Sequence, residues 1–393
     1  MGHSARVGRA AAIRRRLVRL LPVRITVRVL VAANELLAAA LRSASRADPT
    51  LGGARARLMP RAARVPLESA SPAPALSLDE IPSETSEAER RFLFTFFAGI
   101  WSGAADAVEI GPYLGGTTRA IALGMLANPA RGDAARLHVF DRFAEYHEPA
   151  ELLRQLEPLF EAGLLAPGVR TSIARSGSFA DVFDALHAAT PYAELIDARA
   201  KPLPDVPEER GREDVFELGD VGPVEAFFVD GCKSWYATKH FALHAAGAAT
   251  PGAWMIFQDY GWYTCFWLPV LTHALGDALA LRAYVDSTYA FQLTRPLERE
   301  AVERRFADAP EGMDLDRPFV ELVAGAVERG DRRAEVVHEL QHAAALAYVG
   351  KPDRAREMIA RARRRYRLSG FRSMIDAAAS APTYRPGGGA VRL

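Results

Sequence analysis

The sequence predicts an α/β fold built on a doubly wound, seven-stranded sheet, and three observations lead to this prediction. From about Ser86 onward, short apolar runs alternate with helical stretches, which is typical of a parallel sheet with helices on both faces. A Gly-containing turn follows the first apolar run at Gly111. The last two runs, 281–285 and 289–294, have only three residues between them, too few for a crossover helix, so they should pair as an antiparallel hairpin.

Five parallel strands, each followed by a helix, are predicted before this hairpin. The strands are 107–110, 137–140, 169–174, 226–229 and 254–257, and the helices are 117–127, 149–162, 179–188, 235–246 and 268–279. Residues 191–223 interrupt the alternation and are rich in Pro and acidic residues. We interpret them as a loop inserted near the mouth of the site, with a lid as one reading of that loop.

Changes in composition divide the 393 residues into four segments. Residues 1–46 are predicted to form a basic amphipathic helical segment, and 47–85 a flexible linker rich in Pro, Ser, Ala and Gly. The α/β domain is predicted to span 86–297, with a C-terminal helical extension over 298–393. Helices are therefore expected to flank the sheet domain on both sides in sequence.

Basic residues are concentrated at the two ends of the chain. Residues 1–67 hold 14 Arg and two acids, residues 351–393 hold 11 Lys or Arg and three acids, and the part between them carries a net charge of −19. Such ends can contact nucleic acid or an anionic membrane surface. The alternative is that the arginines are solvated on helix surfaces. Nucleic acid is disfavoured because no stripe of aromatic and basic residues accompanies the charge, and membrane-surface contact through the N-terminus stays open.

Cysteine usage and the N-terminal pattern both bear on the compartment. The two cysteines, Cys232 and Cys265, exclude a disulfide scaffold and a cysteine zinc cluster. The apolar run 17–41 is interrupted by four charged residues, which argues against a signal peptide and against a transmembrane helix. These charged residues are Arg19, Arg24, Arg28 and Glu35. We expect a cytoplasmic protein, with peripheral membrane contact as the open alternative.

One motif near the C-terminus favours a different class of function. Residues 331–369 are predicted to form a helical hairpin with a turn at 350–353, similar to one tetratricopeptide-like unit, which should pack on the main domain. Its first helix carries His338, Glu339 and His342 in the spacing of zinc metalloproteases. Catalytic zinc needs a third protein ligand, and none follows at metzincin spacing, so a packing role is preferred.

The most informative segment runs from Val108 to Thr118. A strand ends at Gly111, a turn follows, and a helix begins at the threonines. Glycines let the backbone approach a ligand closely, but the three-glycine spacing of a dinucleotide phosphate site is absent. Glu109 stands two positions before the first glycine, and a carboxylate suits a ligand with amino and hydroxyl donors better than a pyrophosphate. The alternative is an ordinary strand–turn–helix with small residues.

This segment resembles motif I of class I S-adenosylmethionine-dependent methyltransferases, which have a Rossmann-like fold. The resemblance is greatest to the catechol- and caffeoyl-coenzyme-A-type and the sugar O-methyltransferases, and it covers about half of the chain. It implies transfer of a methyl group from S-adenosyl-L-methionine to a hydroxyl of a small molecule or sugar. It also implies that the methionine end of this cofactor is lined by Glu109, Gly111, Tyr113 and Gly115, with Thr117 beside them.

The next two units are expected to hold the nucleoside end of the cofactor. Asp141 ends the second strand, where an acid can accept both ribose hydroxyls. The resemblance gives Asp141 this role and places Arg142 next to the adenine. It also brings the turn at Gly177 and Ser178 to the adenine ring, with Ser178 as the matching hydroxyl. The alternative is that Asp141 and Ser178 are helix N-caps.

The fourth and fifth strands carry the residues expected to perform the chemistry. In catechol-type enzymes the fourth strand ends in an Asp that binds a divalent metal, and a Lys three positions later deprotonates the substrate; Asp230 and Lys233 have that spacing. Such a Lys can have its pKa lowered by a metal and an apolar wall. Asp259 matches the second metal carboxylate, so Asp230 and Asp259 could hold Mg²⁺, with Gln258 as a tentative third ligand. The family patterns have Asn at the position of Tyr260 or a second acid at that of Gln258, which puts metal dependence in doubt.

The sequence does not identify the methyl acceptor, since sugar, polyketide, phenol and lipid hydroxyls all fit. The Asn-Pro-Pro-Tyr type of segment used on exocyclic amines of bases is absent after the fourth strand. Six aromatic residues after the two strands form either an acceptor wall or core packing: Trp235, Tyr236, Trp262, Tyr263, Phe266 and Trp267. A second hypothesis is a methyltransferase-fold module without catalysis that serves in interaction or membrane association.

Overall fold

The computed structural model describes residue 74 and residues 76–367, 370–384 and 390–392. The chain divides into two units, 1–62 and 63–393, and every described residue belongs to the second. The predicted basic segment 1–46 and most of the predicted linker 47–85 lie outside the described residues.

A seven-stranded sheet forms the framework of this unit. Its strands in chain order are β1 Asp106–Ile110, β2 Leu137–Asp141, β3 Ile196–Ala200, β4 Val224–Val229, β5 Ala249–Phe257, β6 Leu279–Val285 and β7 Thr288–Leu293. They lie side by side in the order β3-β2-β1-β4-β5-β7-β6. The first five are parallel, and β7 runs antiparallel to both β5 and β6. The predicted fold class, a Rossmann-like sheet of five parallel strands plus a C-terminal antiparallel hairpin, is confirmed.

Twelve α-helices occur in the described part of the chain, together with short 3₁₀ turns and a small two-stranded sheet. Helices of the sheet domain are α1 Glu87–Gly99, α2 Gly116–Ala127, α3 Pro149–Glu161, α4 Pro167–Ser176, α5 Ala180–Ala188, α6 Trp235–Ala248 and α7 Trp267–Leu275. Those that follow the sheet are α8 Arg299–Arg305, α9 Asp316–Arg329, α10 Arg332–Tyr348, α11 Pro352–Arg365 and α12 Arg372–Ser380. The small sheet pairs β8 Pro382–Tyr384 with β9 Ala390–Arg392.

The central strands are apolar on both faces, as a parallel sheet covered by helices requires. Phe227 and Met255 belong to one buried cluster, while their neighbours Phe228 and Ile256 belong to another. Successive side chains of a strand point to opposite faces, so these clusters lie on the two sides of the sheet. The chain leaves β1 toward β2 on one side and returns to β4 on the other, which opens a crevice at the carboxyl ends of β1 and β4.

The predicted third strand is wrong. Residues 169–174 lie in α4, which has Pro167 at its first position and Gly177 in a left-handed conformation after its last. Pro at the start and Gly just past the end are typical of a helix, and the β-branched residues between them concealed this signal. The actual third strand, β3, lies within 191–223, the segment predicted to be an inserted loop. It is an edge strand whose residues are partly exposed, so it lacks an apolar pattern.

The remainder of the predicted insertion also packs on the domain. Phe216 is buried, and its ring lies edge-on to that of Phe140 in β2 with 4.9 Å between centroids. The backbone carbonyl of Phe216 is 2.9 Å from Nε2 of His240 in α6. This stretch therefore covers the sheet, in contrast to a free-standing lid.

The domain begins before the predicted boundary at Ser86. Leu78 and Ile81, which fall in the predicted linker, are buried in the cluster beneath α1 and α2. Ser86 and Glu89 then form a capping box at the start of α1. The Glu89 carboxylate also accepts a hydrogen bond of 2.9 Å from Thr288 Oγ1, which joins α1 to the β6–β7 hairpin.

The predicted C-terminal helical hairpin is confirmed as α10 and α11. Ala344, Ala345 and Tyr348 of α10 belong to the same buried cluster as Phe227 and Met255 of the sheet. The hairpin thus packs on the main domain and shares its core. Among the helices of the described residues, none is long and apolar enough to cross a membrane.

Candidate active site

Four acidic residues stand at the carboxyl ends of neighbouring parallel strands. Glu109 is the second-last residue of β1 and Asp141 the last of β2, Asp230 directly follows β4, and Asp259 comes two residues after β5. The charges of Asp230 and Asp141 both raise the pKa of Glu109, which reflects how close the three carboxylates lie. Open α/β sheets bind their ligands at this edge.

Glycine is required where β1 and β4 end. Gly111 has a φ of +82°, and a Cβ added there would lie 2.8 Å from the backbone nitrogen of Gly231. The Asp230 N–H donates a 2.8 Å hydrogen bond to the carbonyl of Ile110. Because the two backbones touch at Gly111, Glu109 and Asp230 are brought to the same crevice.

Glu109 is a fully buried carboxylate with one oxygen left unsatisfied. Its Oε1 accepts a hydrogen bond of 2.6 Å from Thr117 Oγ1 at the start of α2. Its Oε2 is buried and has no hydrogen-bond partner among the described residues. Burial raises the pKa of Glu109 to about 7, against the lowering effect of the Thr117 and Thr118 hydroxyls. A buried acceptor of this kind marks a position where a donor is missing.

The turn between Glu109 and Thr117 has an unusual backbone. Tyr113 has a φ of +54° and Gly115 one of +91°. The Tyr113 hydroxyl donates to Gln155 Oε1 at 2.7 Å, which holds the turn against α3. A Cβ at Gly115 would lie 2.0 Å from Nε2 of His187, so glycine is needed for α5 to pack against the start of α2.

Asp141 organises the loop after β2. Its Oδ1 accepts a 2.7 Å hydrogen bond from the Phe143 N–H. Burial raises the pKa of Asp141, while hydrogen bonds from the backbone of Phe143 and Tyr113 lower it. Ser178 Oγ donates to the carbonyl of Phe143 at 3.0 Å. Asp141, Tyr113 and Ser178 are thereby brought together around one loop, as the predicted cofactor site requires.

The capping alternative is wrong for Asp141, which no helix follows directly. Ser178 stands one residue before the N-cap of α5, and its Oγ accepts a 3.2 Å hydrogen bond from the Ala180 N–H at the start of that helix. The N-cap of α3 is Glu148 and that of α5 is Phe179. The other two residues of the predicted nucleoside site, Arg142 and Gly177, adjoin Asp141 and Ser178 in sequence and lie in the same two loops. Arg142 is exposed with its guanidinium 2.6 Å from Glu145 Oε2, and Gly177 is the C-cap of α4.

Lys233 joins the carboxylates of β4 and β5. Its Nζ lies 2.5 Å from Asp230 Oδ1 and 2.7 Å from Asp259 Oδ2. Lys233 is partly exposed, and desolvation by its surroundings lowers its pKa, but the two negative charges raise it more, so the net pKa is well above the usual range. The expected lowering of this pKa is therefore wrong for this arrangement, because an ammonium between two carboxylates holds its proton.

The residues predicted to bind a metal do not fit a divalent ion in this arrangement. One oxygen of Asp230 and one oxygen of Asp259 are already bonded to the Lys233 ammonium. Tyr260, at the position of the family's Asn, has its hydroxyl 2.9 Å from Thr272 Oγ1 in the core. Gln258, the tentative third ligand, is buried and its Oε1 has no hydrogen-bond partner within the described part, so it would offer a metal one uncharged oxygen. Across the residues that the structure describes, no three His, Cys, Asp or Glu side chains form a group that could hold a metal ion.

The loop that carries Asp259 is held by α10. Asp259 has a φ of +61°, a left-handed conformation that is unfavourable for a residue with a side chain. Gln341 of α10 donates from Nε2 to the carbonyls of Tyr260 at 2.7 Å and Trp262 at 2.9 Å. His338 Nδ1 lies 2.9 Å from Gln341 Oε1 and fixes the amide in turn. The helical hairpin therefore supports the site loop directly.

The zinc-protease motif is used for packing. His342 Nε2 lies 2.8 Å from Asp316 Oδ1, and Glu339 Oε1 accepts from Arg365 Nη1 at 2.6 Å. His338 is fully buried, and burial lowers its pKa to about 4. Since each motif side chain already has a partner from the helices around it, the alternative of a zinc site receives no support.

Most of the predicted aromatic wall belongs to the core. Four of its six residues are buried: Trp235, Tyr236, Phe266 and Trp267. The other two are Tyr263, which is partly buried, and Trp262, which has 44% of its surface exposed; their rings stack at 4.4 Å between centroids. Core packing therefore accounts for four of the aromatics.

Glu84 and Tyr146 are two residues of the site region that sequence analysis missed. The Tyr146 hydroxyl donates to Glu84 Oε2, and His147 Nε2 lies 3.6 Å from Glu84 Oε1. The charge of Lys233 lowers the pKa of Tyr146 and that of Asp230 raises it, so Glu84 and Tyr146 lie near these two residues. Glu84 falls in the predicted linker and Tyr146 in a loop without a motif, so neither carried a signal in the sequence.

Comparisons with known proteins give matches among solved structures. No family model matches the chain, and no curated protein matches it. The O-methyltransferase NovP is 15% identical over 53% of this chain and 80% of its own, with a TM-score of 0.37. The O-methyltransferase TomG from Streptomyces achromogenes is 16% identical over 53% and 80%, with a TM-score of 0.29. An O-methyltransferase from Bacillus cereus is 13% identical over 55% and 84%, with a TM-score of 0.28. The fold class itself is established by the strand order and strand directions of this chain.

Proposed function

We propose that this protein is an S-adenosyl-L-methionine-dependent methyltransferase that methylates a hydroxyl group of a small molecule or sugar. The observation that carries the proposal is the buried, unpartnered Oε2 of Glu109, which lies in one crevice with Asp141 and Asp230. A carboxylate oxygen that lacks a donor inside the protein suits a ligand that brings one, such as the ammonium of an amino acid.

The methionine end of the cofactor would be bound by the turn after β1. Glu109 Oε2 would accept from the ligand's amino group, while Thr117 holds the other oxygen of the same carboxylate. Gly111 and Gly115 give the turn its left-handed backbone, and Tyr113 borders it. S-adenosyl-L-methionine, when bound, supplies a methyl group activated by a positively charged sulfur.

The nucleoside end would be bound by the loops after β2 and α4. Asp141 has one oxygen engaged by the Phe143 N–H, which orients the carboxylate to accept the ribose hydroxyls. Arg142, Gly177 and Ser178 would border the adenine, and Ser178 keeps the two loops together through Phe143. Each of these residues thus has a binding or positioning role.

Asp230 and Lys233 are the proposed catalytic residues. Methyl transfer depends mainly on the alignment of nucleophile, methyl carbon and sulfur, together with preparation of the nucleophile. Because the two carboxylates keep Lys233 protonated, its ammonium would bind and polarise the acceptor oxygen. The hydroxyl proton would then leave to a carboxylate beside the lysine.

A cofactor-binding module without turnover is the second candidate. The observations that favour it are Tyr260, whose hydroxyl is bonded within the core, and Gln258, which brings no charge to the site. A substitution of Lys233 distinguishes the two candidates: Lys233→Ala would abolish turnover in the enzyme and leave ligand binding, and any role in a module, intact.

Calorimetric titration with S-adenosylhomocysteine tests the proposal. Wild-type protein should bind, and Asp141→Ala should bind at least about tenfold more weakly, because charge-assisted hydrogen bonds to the ribose are lost. Asp133→Ala is the matched control, since Asp133 is an exposed acid outside the crevice and should leave binding unchanged. Absence of binding by folded wild-type protein would overturn the proposal.

A screen for the acceptor follows from binding. Transfer of a labelled methyl group to a panel of phenols, sugars, lipid alcohols and amines should give product with a hydroxyl acceptor. Transfer to amines alone would contradict O-methylation and leave the broader methyltransferase proposal standing.

A further inference from the structure

The Lys233 ammonium occupies the position between two strand-end carboxylates. Asp230 and Asp259 follow adjacent parallel strands, and the Nζ atom bridges them at 2.5 and 2.7 Å. In a metal-dependent enzyme of this fold, a divalent ion would have to bind the same pair of acids. One cation therefore stands where a different cation is expected.

Two further features around this pair of acids disfavour a divalent ion. Mg²⁺ takes six oxygens in a near-octahedral arrangement and dehydrates reluctantly, so it depends on carboxylates whose charge is free to bind it. Here the ammonium already neutralises part of the charge of both carboxylates. Tyr260 directs its hydroxyl to Thr272, so the residue after Asp259 adds no oxygen ligand.

The lysine retains one donor for an acceptor. An ammonium group has three N–H donors, and Lys233 uses two of them on Asp230 and Asp259. Within the described residues these carboxylates are its hydrogen-bond partners, and 46% of its side chain is exposed. The third N–H is therefore free to bind an oxygen of the acceptor.

We propose that Lys233 replaces the divalent cation in this protein, so that the acceptor is bound and polarised by the ammonium and no metal ion is taken up. This inference rests on the proposed function. The acceptor oxygen forms a bond to the methyl carbon while the bond from that carbon to sulfur breaks, with its electron pair left on sulfur. The hydroxyl proton passes to one of the two carboxylates.

Binding of Mn²⁺, followed by the loss of its free-ion signal in electron paramagnetic resonance, tests the inference without a turnover assay. Wild-type full-length protein should leave the Mn²⁺ signal unchanged. Lys233→Ala frees two neighbouring carboxylates and should bind Mn²⁺ at least about tenfold more tightly than wild type. Lys351→Ala removes the same charge from an exposed helix terminus and should behave as wild type.

Two results would overturn the inference: stoichiometric Mn²⁺ binding by the wild type, or no gain of binding in a folded Lys233→Ala variant. If the alanine variant does not fold, Lys233→Met keeps the aliphatic stem and removes the charge, and the wild-type measurement still applies. Titration of the same samples with S-adenosylhomocysteine separates the two proposals. Absence of S-adenosylhomocysteine binding by the wild type would count against the methyltransferase function. The Mn²⁺ result decides separately whether Lys233 or a metal ion occupies the position between the two carboxylates.

Discussion

Gln341 of α10 donates its side-chain amide to the backbone carbonyl of Tyr260 at 2.7 Å, across 81 positions of sequence. The same amide reaches the carbonyl of Trp262, and its oxygen is bonded to His338. Gln341 is fully buried, so these groups have no water to replace it. One side chain of the helical hairpin thus fixes the loop that presents Asp259.

Replacement of Gln341 by a residue of similar size without an amide should destabilise the protein strongly. Gln341→Leu would leave the Tyr260 carbonyl and His338 without this partner, and each unsatisfied buried group costs about 1–3 kcal/mol. We expect urea unfolding to give a free energy lower by at least about 2 kcal/mol. Gln292→Leu is the control, because this glutamine of β7 is partly exposed and makes long hydrogen bonds of 3.2 Å to Arg282 and 3.4 Å to Gly252; its effect should stay within about 0.5 kcal/mol. Equal losses in both variants would contradict the assigned role.

Gly115→Ala should be strongly destabilising. Its φ of +91° disfavours a side chain, and the new Cβ would lie 2.0 Å from His187 Nε2. A strained residue of this kind costs of the order of 1–3 kcal/mol, and the displaced ring adds to it. Gly168→Ala, in α4 with open space around it, should instead stabilise by about 0.5 kcal/mol. Thermal unfolding of the two variants measures the difference, and a neutral Gly115→Ala would show that the turn adapts.

The pH dependence of stability should reveal the buried carboxylate of Glu109. Its pKa is raised by burial from 4.5 to about 7, so between these values the folded state binds more protons than the unfolded state. Stability contributed by the protonated form is present below pH 4.5 and is lost as pH rises to about 7. Glu109→Gln removes this loss, which is of the order of 3 kcal/mol between pH 5 and 8.

Unfolding free energies measured at several pH values for wild type and Glu109→Gln test this expectation. The exposed Glu194→Gln serves as the control and should keep the wild-type profile. Parallel profiles for wild type and Glu109→Gln would mean that Glu109 is ionised and solvated in the folded protein.

Zinc should neither bind to nor stabilise the protein through His338 and His342. Both rings are bonded within the helices, to Gln341 and Asp316, and burial lowers the pKa of both. Treatment with a chelator, followed by addition of Zn²⁺, should leave the melting temperature unchanged. A stoichiometric zinc content that falls in His342→Ala would contradict the packing role.

The sequence predicted strands correctly where burial on both faces of the sheet requires a run of apolar residues. β4 and β5 are covered on both faces, so their apolar runs predicted strands correctly. β3 lies at the edge of the sheet and contains polar residues. Its Asp197 pairs with His138 of β2 at 2.9 Å, and a search for apolar runs does not detect such a strand. Polar edge strands are therefore the elements that such patterns miss.

For the candidate site, the sequence predicted which residues stand at each strand end but not the contacts between strand ends. The spacing of Asp230 and Lys233 placed both residues at one strand end, as the structure has them. The hydrogen bond from Lys233 to Asp259 joins the ends of two separate strands. It depends on how these strands align in the sheet, so the spacing of residues in the sequence does not predict it. The resulting rise in the lysine pKa was equally hidden, because it arises from a second charge distant in sequence.

The shared core of α10 and the sheet limits how the protein can be divided. Ala344, Ala345 and Tyr348 fill space against the sheet, so a chain cut after residue 297 would expose that apolar surface to water. It would also release the loop beyond Asp259 from Gln341. The sheet domain consequently depends on α10 for part of its core, and a fragment that keeps α10 should be more stable than one that ends before it.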